Sequence, residues 1–134
     1  MKEAKAFIDT NVLLYLLSAD AAKADRAESV LGSGGVVSVQ VLNEFASVAT
    51  RKLKMPMVEV RQVLDTIRTV CEVVPLTEET HVLGLDIVER YQLSIYDAMI
   101  VSAALQSNCA TLWSEDLHNG LVIEERLTVR NPFH

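Results

Sequence analysis

At 134 residues, half of them apolar, the chain is long enough for one domain with a substantial core, short for two, and unlike a disordered segment. A net charge of −6 argues against a protein that holds nucleic acid by bulk electrostatics. The opening Met1-Lys-Glu-Ala-Lys-Ala lacks the apolar core of a secretory signal, and the longest apolar run, Val12 to Leu17, is too short to cross a bilayer, so the expectation is a soluble, cytoplasmic protein.

Lys5-Ala-Phe-Ile8 has strand character and runs into Asp9, after which Val12, Leu13, Leu14, Leu16 and Leu17 follow a helical pattern. Asp20 to Leu31 reads as a second helix, capped by Asp20 and ended by Gly32, Gly34 and Gly35. Val36-Val37-Ser38 is a short buried strand. From Ser38, a suitable N-cap, the residues Val39, Leu42, Phe45, Ala46, Ala49 and Leu53 recur at helical spacing, and Arg51, Lys52 and Lys54 place positive charge at the helix's carboxyl end, where its dipole favours it. Pro56 breaks this pattern and suits the first turn of the next helix, whose apolar face is Val60, Val63, Leu64, Ile67 and Val70. Cys71 to Val74 is a strand stopped by Pro75. Thr77-Glu78-Glu79-Thr80 opens a helix carrying Val82, Leu83, Leu85, Ile87 and Val88, and Ser94-Ile-Tyr-Asp97 opens another that ends at Asn108. Ala110 to Trp113 is a fourth strand, 114–120 a loop, and Leu127 to Arg130 a last edge strand.

Short strands alternating with helices imply a parallel sheet covered on both faces: one α/β domain over 1–134, a three-layer α/β/α sandwich with a mainly parallel sheet. Right-handed crossovers return every strand in the same sense, so strand ends and the starts of following helices share one rim. That rim gathers Asp9 after strand one, Glu44 within two turns of strand two, and Asp116 in the loop after strand four. Asp97 joins them, because a helix leading into a parallel strand runs antiparallel to the sheet and starts near its carboxyl edge. Setting these four aside from the 18 acids leaves a near balance with the 12 bases.

Each acid also has a plain structural reading. Asp9 suits an N-cap, Ser94-x-x-Asp97 a capping box, Glu44 a solvated helix position and Asp116 a turn. Glu115 projects elsewhere and ranks below Asp116. The conjunction carries the argument. Four clustered carboxylates without a counter-charge would raise one another's pKa or destabilise the fold, and a hard divalent ion such as Mg²⁺ or Mn²⁺ resolves this. Such a site can generate hydroxide, orient a phosphodiester and stabilise the leaving oxygen. Cys71 and Cys109 lie far apart in apolar surroundings and read as buried thiols, while His81, His118 and His134 have no metal-ligand spacing.

These residues resemble the motifs of the PIN-domain ribonucleases, and within them the VapC-like toxins of bacterial and archaeal toxin–antitoxin pairs. Phe7-Ile-Asp9-Thr10-Asn11-Val12-Leu13 is similar to the family's opening motif, Ser38-Val-Gln-Val-Leu-Asn-Glu44-Phe to its second, Tyr96-Asp97-Ala98-Met99-Ile100-Val101 to its third, and Leu112-Trp113-Ser114-Glu-Asp116-Leu to its fourth. Asn131-Pro132-Phe133 resembles the ending of many members. The resemblance covers essentially the whole chain. It implies an endoribonuclease dependent on Mg²⁺ or Mn²⁺, with Asp9, Glu44, Asp97 and Asp116 as the acidic constellation and Asn11 and Ser114 as polar helpers. It further implies an RNA substrate, a homodimer and a cognate antitoxin that inserts a segment into the active-site groove.

Two other classes compete. An aspartyl phosphotransferase of the haloacid dehalogenase type needs a second Asp two residues after the first, where this chain has Asn11. A catalytically silent RNA- or protein-binding module is the alternative, and the presence of all four acids counts against it. For RNA contact, Arg51, Lys52 and Lys54 form the densest basic cluster, which surface solubility explains better than RNA contact does; Lys23, Arg26 and Arg61 are no better determined.

Overall fold

The computed structural model describes residues 5–133. Six strands, β1 (Lys5–Ile8), β2 (Gly35–Ser38), β3 (Cys71–Val74), β4 (Cys109–Trp113), β5 (Val122–Ile123) and β6 (Leu127–Arg130), form one sheet in the order β3-β2-β1-β4-β6-β5. All neighbours pair in parallel except β5 with β6. Six helices connect them: α1 (Thr10–Leu14), α2 (Ala21–Gly32), α3 (Val39–Arg51), α4 (Met57–Val70), α5 (Glu78–Tyr91) and α6 (Ile95–Gln106). The chain steps from β1 outward to β2 and β3, then crosses back over β1 to β4. With right-handed crossovers this reversal puts α1–α4 on one face and α5–α6 on the other. The packing agrees, since α1, α2, α3 and α4 touch one another and α5 lies along α6.

Burial explains the layers. Phe7, Ile8, Val37 and Leu112 have no exposed surface in the sheet, nor do Val41, Phe45 and Ala49, which form the inward stripe of α3. Helix α6 is buried continuously from Ala98 to Leu105, as a helix apolar on all sides must be. Gly84 lets α5 approach it: a Cβ there would come within 2.6 Å of the Met99 side chain. Cys71 and Cys109 are buried free thiols, pushed up to about 11 by desolvation. Among the described residues no helix is long and apolar enough to cross a membrane.

Three expectations need correction. The run from Val12 to Leu17 splits into α1 and a 3₁₀ turn, Tyr15–Leu17. Pro56 is the N-cap of α4 rather than a residue of its first turn. The strand Leu127–Arg130 is not an edge: β6 lies between β4 and the short β5, which the sequence pattern did not announce. The turn between β5 and β6 passes through Glu124 and Glu125, both at positive φ (53° and 61°), and Arg126 N donates to Ile123 O (3.2 Å). Glycine or asparagine usually marks such a turn, and two glutamates give no such signal. Contacts from the end of α5 hold it instead, through the Arg90–Glu124 ion pair and Glu124 N donating to Tyr91 Oη (3.0 Å).

Candidate active site

Asp9 reaches the rim at the carboxyl end of β1, where its N–H donates to Trp113 O (3.0 Å) and locks β1 against β4. The carboxylate has two roles. Oδ1 accepts from Thr10 N (2.7 Å) and caps α1, so the plain reading of Asp9 holds. Oδ2 accepts from Ser114 Oγ (2.8 Å), 105 residues away in sequence. Ser114 has no exposed surface, and its oxygen also accepts from Asp116 N (3.2 Å) and Leu117 N (3.4 Å). Ser114 therefore builds the turn assigned from sequence to Asp116. The Asp116 carboxylate instead accepts from Asn11 Nδ2.

Glu44 is half-buried and its Oε1 accepts from Thr10 Oγ1 (3.0 Å) and Gln40 Nε2 (3.3 Å), so it is a held group and not a solvated one. Gln40 also donates to Tyr96 O (3.1 Å), which ties α3 to the first turn of α6, where Asp97 stands. Only half of the capping box there is made. Asp97 N donates to Ser94 Oγ (3.2 Å), while the Asp97 carboxylate accepts no hydrogen bond among the described residues. Glu115 turns away from the acids, accepting from Tyr15 Oη (2.6 Å) and lying 3.7 Å from Lys23 Nζ. Trp113 is half-buried, with the Arg26 guanidinium 5.7 Å from its ring centre.

The electrostatics join what the hydrogen bonds describe separately. Asp9 is 5% exposed, and burial raises its carboxyl from 3.8 to about 6; hydrogen bonds from Ser114 and Thr10 oppose the rise, and the charges of Asp116 and Asp97 add to it. Asp116 is raised by burial and then by Asp97, with smaller contributions from Glu115 and Glu44, against the lowering hydrogen bond from Asn11. Every charged group that moves either residue is another carboxylate. All four acids named from sequence thus lie within coulombic reach at one rim. Among the described residues, however, no three acid, histidine or cysteine side chains are disposed to close on a single ion. Asp9, Asp116 and Glu44 each face neutral hydrogen-bond donors of their own.

Thr10 and Gln40 were missed. Thr10 sits inside the first motif, but nothing local says that its hydroxyl reaches across to α3. Gln40 stands four residues before Glu44, a helical spacing that allows side-chain pairing and was readable.

The PIN domain family profile matches residues 6–118. The chain belongs to the PIN-domain family. No curated protein matches the sequence of this PIN domain. Solved structures share its fold: a toxin–antitoxin complex from Klebsiella pneumoniae (19% identity, TM-score 0.73, covering 96% of this chain and 98% of that one) and DNA-bound VapBC from Salmonella typhimurium (16%, 0.71, 97% and 99%). A third is VapC20 of Mycobacterium tuberculosis, described as a toxin cleaving the sarcin–ricin loop (18%, 0.65, 84% and 92%).

Proposed function

We propose that this PIN domain is a metal-dependent endoribonuclease and the toxin of a toxin–antitoxin pair. What supports the reading most is the set of hydrogen bonds that holds Asp9, Asp116 and Glu44 at one rim, from Ser114, Asn11 and Thr10, with Asp97 near enough for its charge to act on Asp9 and Asp116. The donor set fits a hard divalent ion in its chemistry: oxygen donors only, an excess of negative charge, and one carboxylate, Asp97, that accepts no hydrogen bond among the described residues. Asp9, Asp97, Asp116 and Glu44 would hold Mg²⁺ or Mn²⁺. Once bound, such an ion supplies a water acidified toward neutral pH and positive charge for the phosphodiester.

The chain's own residues do the positioning. Ser114 directs Oδ2 of Asp9, Asn11 steadies Asp116, and Thr10 with Gln40 restrains Glu44. Phosphoryl chemistry needs little else from a protein, because orientation and charge supply most of the rate.

For the antitoxin, a groove of about 410 Å³ starts at Asn11 and Glu115 and continues between Leu14, Leu17, Val48 and Leu53. An apolar groove abutting the acids suits an inserted protein segment. Met57 and Val58, exposed at the start of α4, support a homodimer face.

The experiment is cleavage of structured RNA with Mg²⁺ or Mn²⁺ by the parent, Asp9→Asn and Asp97→Asn proteins, together with melting temperatures. Loss of at least about a hundredfold in rate is expected for both variants. Either ion should raise the parent's melting temperature, and less so in Asp9→Asn. Undiminished cleavage by both variants would overturn the mechanism. A parent inert on every RNA would favour a catalytically silent binding module.

A further inference from the structure

One face of α3 does more than present Glu44. Gln40, Asn43, Glu44, Ser47 and Arg51 fall at offsets of 0, 3, 4, 7 and 11, a single stripe of a helix. With Tyr96 from the start of α6 and the exposed Leu76 before α5, this stripe lines a groove of about 480 Å³. The groove shares Glu44 with the acidic site, and its aromatic wall is the residue immediately before Asp97.

Two of the lining groups have little structural work. Tyr96 is 69% exposed, and its ring caps no apolar cluster of the core. Its backbone is fixed nonetheless, because Gln40 donates to its carbonyl. Arg51 Nε donates to Ser47 Oγ (3.0 Å), which orients the guanidinium, and among the described residues Arg51 enters no ion pair. Glu44 and Arg51 are separated by about 10 Å along the helix axis, the length of roughly three stacked nucleotides. In a protein of net charge −6, an oriented cation beside an exposed, backbone-anchored aromatic makes a local site for a polyanion with planar bases.

We propose that this groove is the track of the single-stranded RNA flanking the scissile bond, with a base stacked on Tyr96 and a phosphate held by Arg51. The proposal rests on the ribonuclease reading and extends it to the strand's path. An oriented cation that enters no ion pair among the described residues, set beside an exposed ring, favours RNA over a protein segment here. Tyr96 and Arg51 would bind flanking nucleotides and set which one is preferred, leaving the bond-breaking groups untouched.

The test is binding of a fluorescein-labelled single-stranded RNA octamer, followed by anisotropy in EDTA so that no cleavage intervenes, across a salt series. Tyr96→Ala is expected to weaken binding roughly ten- to hundredfold with the salt slope unchanged, and Tyr96→Phe to restore it. Arg51→Ala should weaken binding and flatten the log–log salt slope by about 0.7. Arg68→Ala, on the outer surface of α4, should bind as the parent does, and all four variants should keep the parent's melting temperature because each side chain is exposed. If the parent binds and cleaves RNA while Tyr96→Ala and Arg51→Ala do both equally well, the groove is not the track and the ribonuclease reading stands. If these variants bind RNA normally but no longer hold the antitoxin, the groove is a protein-docking surface and the proposal fails. A parent that neither binds nor cleaves RNA overturns both readings.

Discussion

Helix α3 walls two grooves of similar size, one without a cation in its lining and one that carries Arg51 beside Tyr96. On one flank Val48 joins Leu14, Leu17 and Leu53 around about 410 Å³ of apolar space; on the other, Asn43, Ser47 and Arg51 line about 480 Å³ with Tyr96. The first reaches Asn11, whose amide donates to Asp116, and the second reaches Glu44. On the two proposals made above, one amphipathic helix divides a surface for the antitoxin from a track for RNA.

The heaviest blow to this division is the removal of what the two grooves share. Phe45 has no exposed surface and pins α3 to the core. Phe45→Ala should cost about 3–5 kcal/mol in urea denaturation and weaken RNA binding and antitoxin binding together. Loss of one function with the other intact would mean that α3 is not their common wall.

Next comes the acidic floor beneath both. Burial holds the Asp9 carboxyl near 6 against 3.8 in an ordinary setting, so the folded chain retains a proton that the unfolded chain has already lost. The contribution is therefore most favourable below about pH 4 and is lost as the pH rises through 6, by about 3 kcal/mol without metal. Asp9→Asn should abolish that fall in denaturation series run in EDTA, and Asp116, raised in the same direction, adds to it in the parent. A parent whose metal-free stability climbs between pH 4 and 7 would contradict this picture.

A smaller effect separates the flanks. Leu53, 48% exposed at the apolar groove, changed to Asp should weaken antitoxin binding about tenfold or more while RNA affinity stays as it was. Calorimetry with the antitoxin would read it. Smallest of all, Tyr91→Phe releases the turn at Glu124 and should cost about 1 kcal/mol with no change in cleavage, since β5 is the sheet edge on the β6 side, away from the acids.

The sequence showed the frame and hid the fastenings. Alternating strands and helices were enough to read a parallel sheet, and the rim rule was enough to bring Asp9, Glu44, Asp97 and Asp116 to one side of it. Asn11 and Ser114 were legible as polar helpers through the resemblance, and Gln40 by its helical spacing from Glu44, but Thr10 was not, because its hydroxyl reaches Glu44 across 34 residues and a hydroxyl looks alike wherever it stands. The acid readings were not exclusive either: Asp9 caps a helix and faces the site with different oxygens. At the β5–β6 turn the local code was silent, since two glutamates adopt positive φ only with help from α5.

The pairing of β1 with β4, Phe7 against Leu112, has a consequence for biosynthesis. The first strand leaves the ribosome without its inner neighbour and waits for the 105 residues between Asp9 and Ser114, roughly 5–20 s at ordinary rates of translation. Until then Asp9 has neither the hydroxyl that orients it nor the Asp116 charge that perturbs it. The acidic pocket therefore comes into being only once Ser114 and Asp116 have been made.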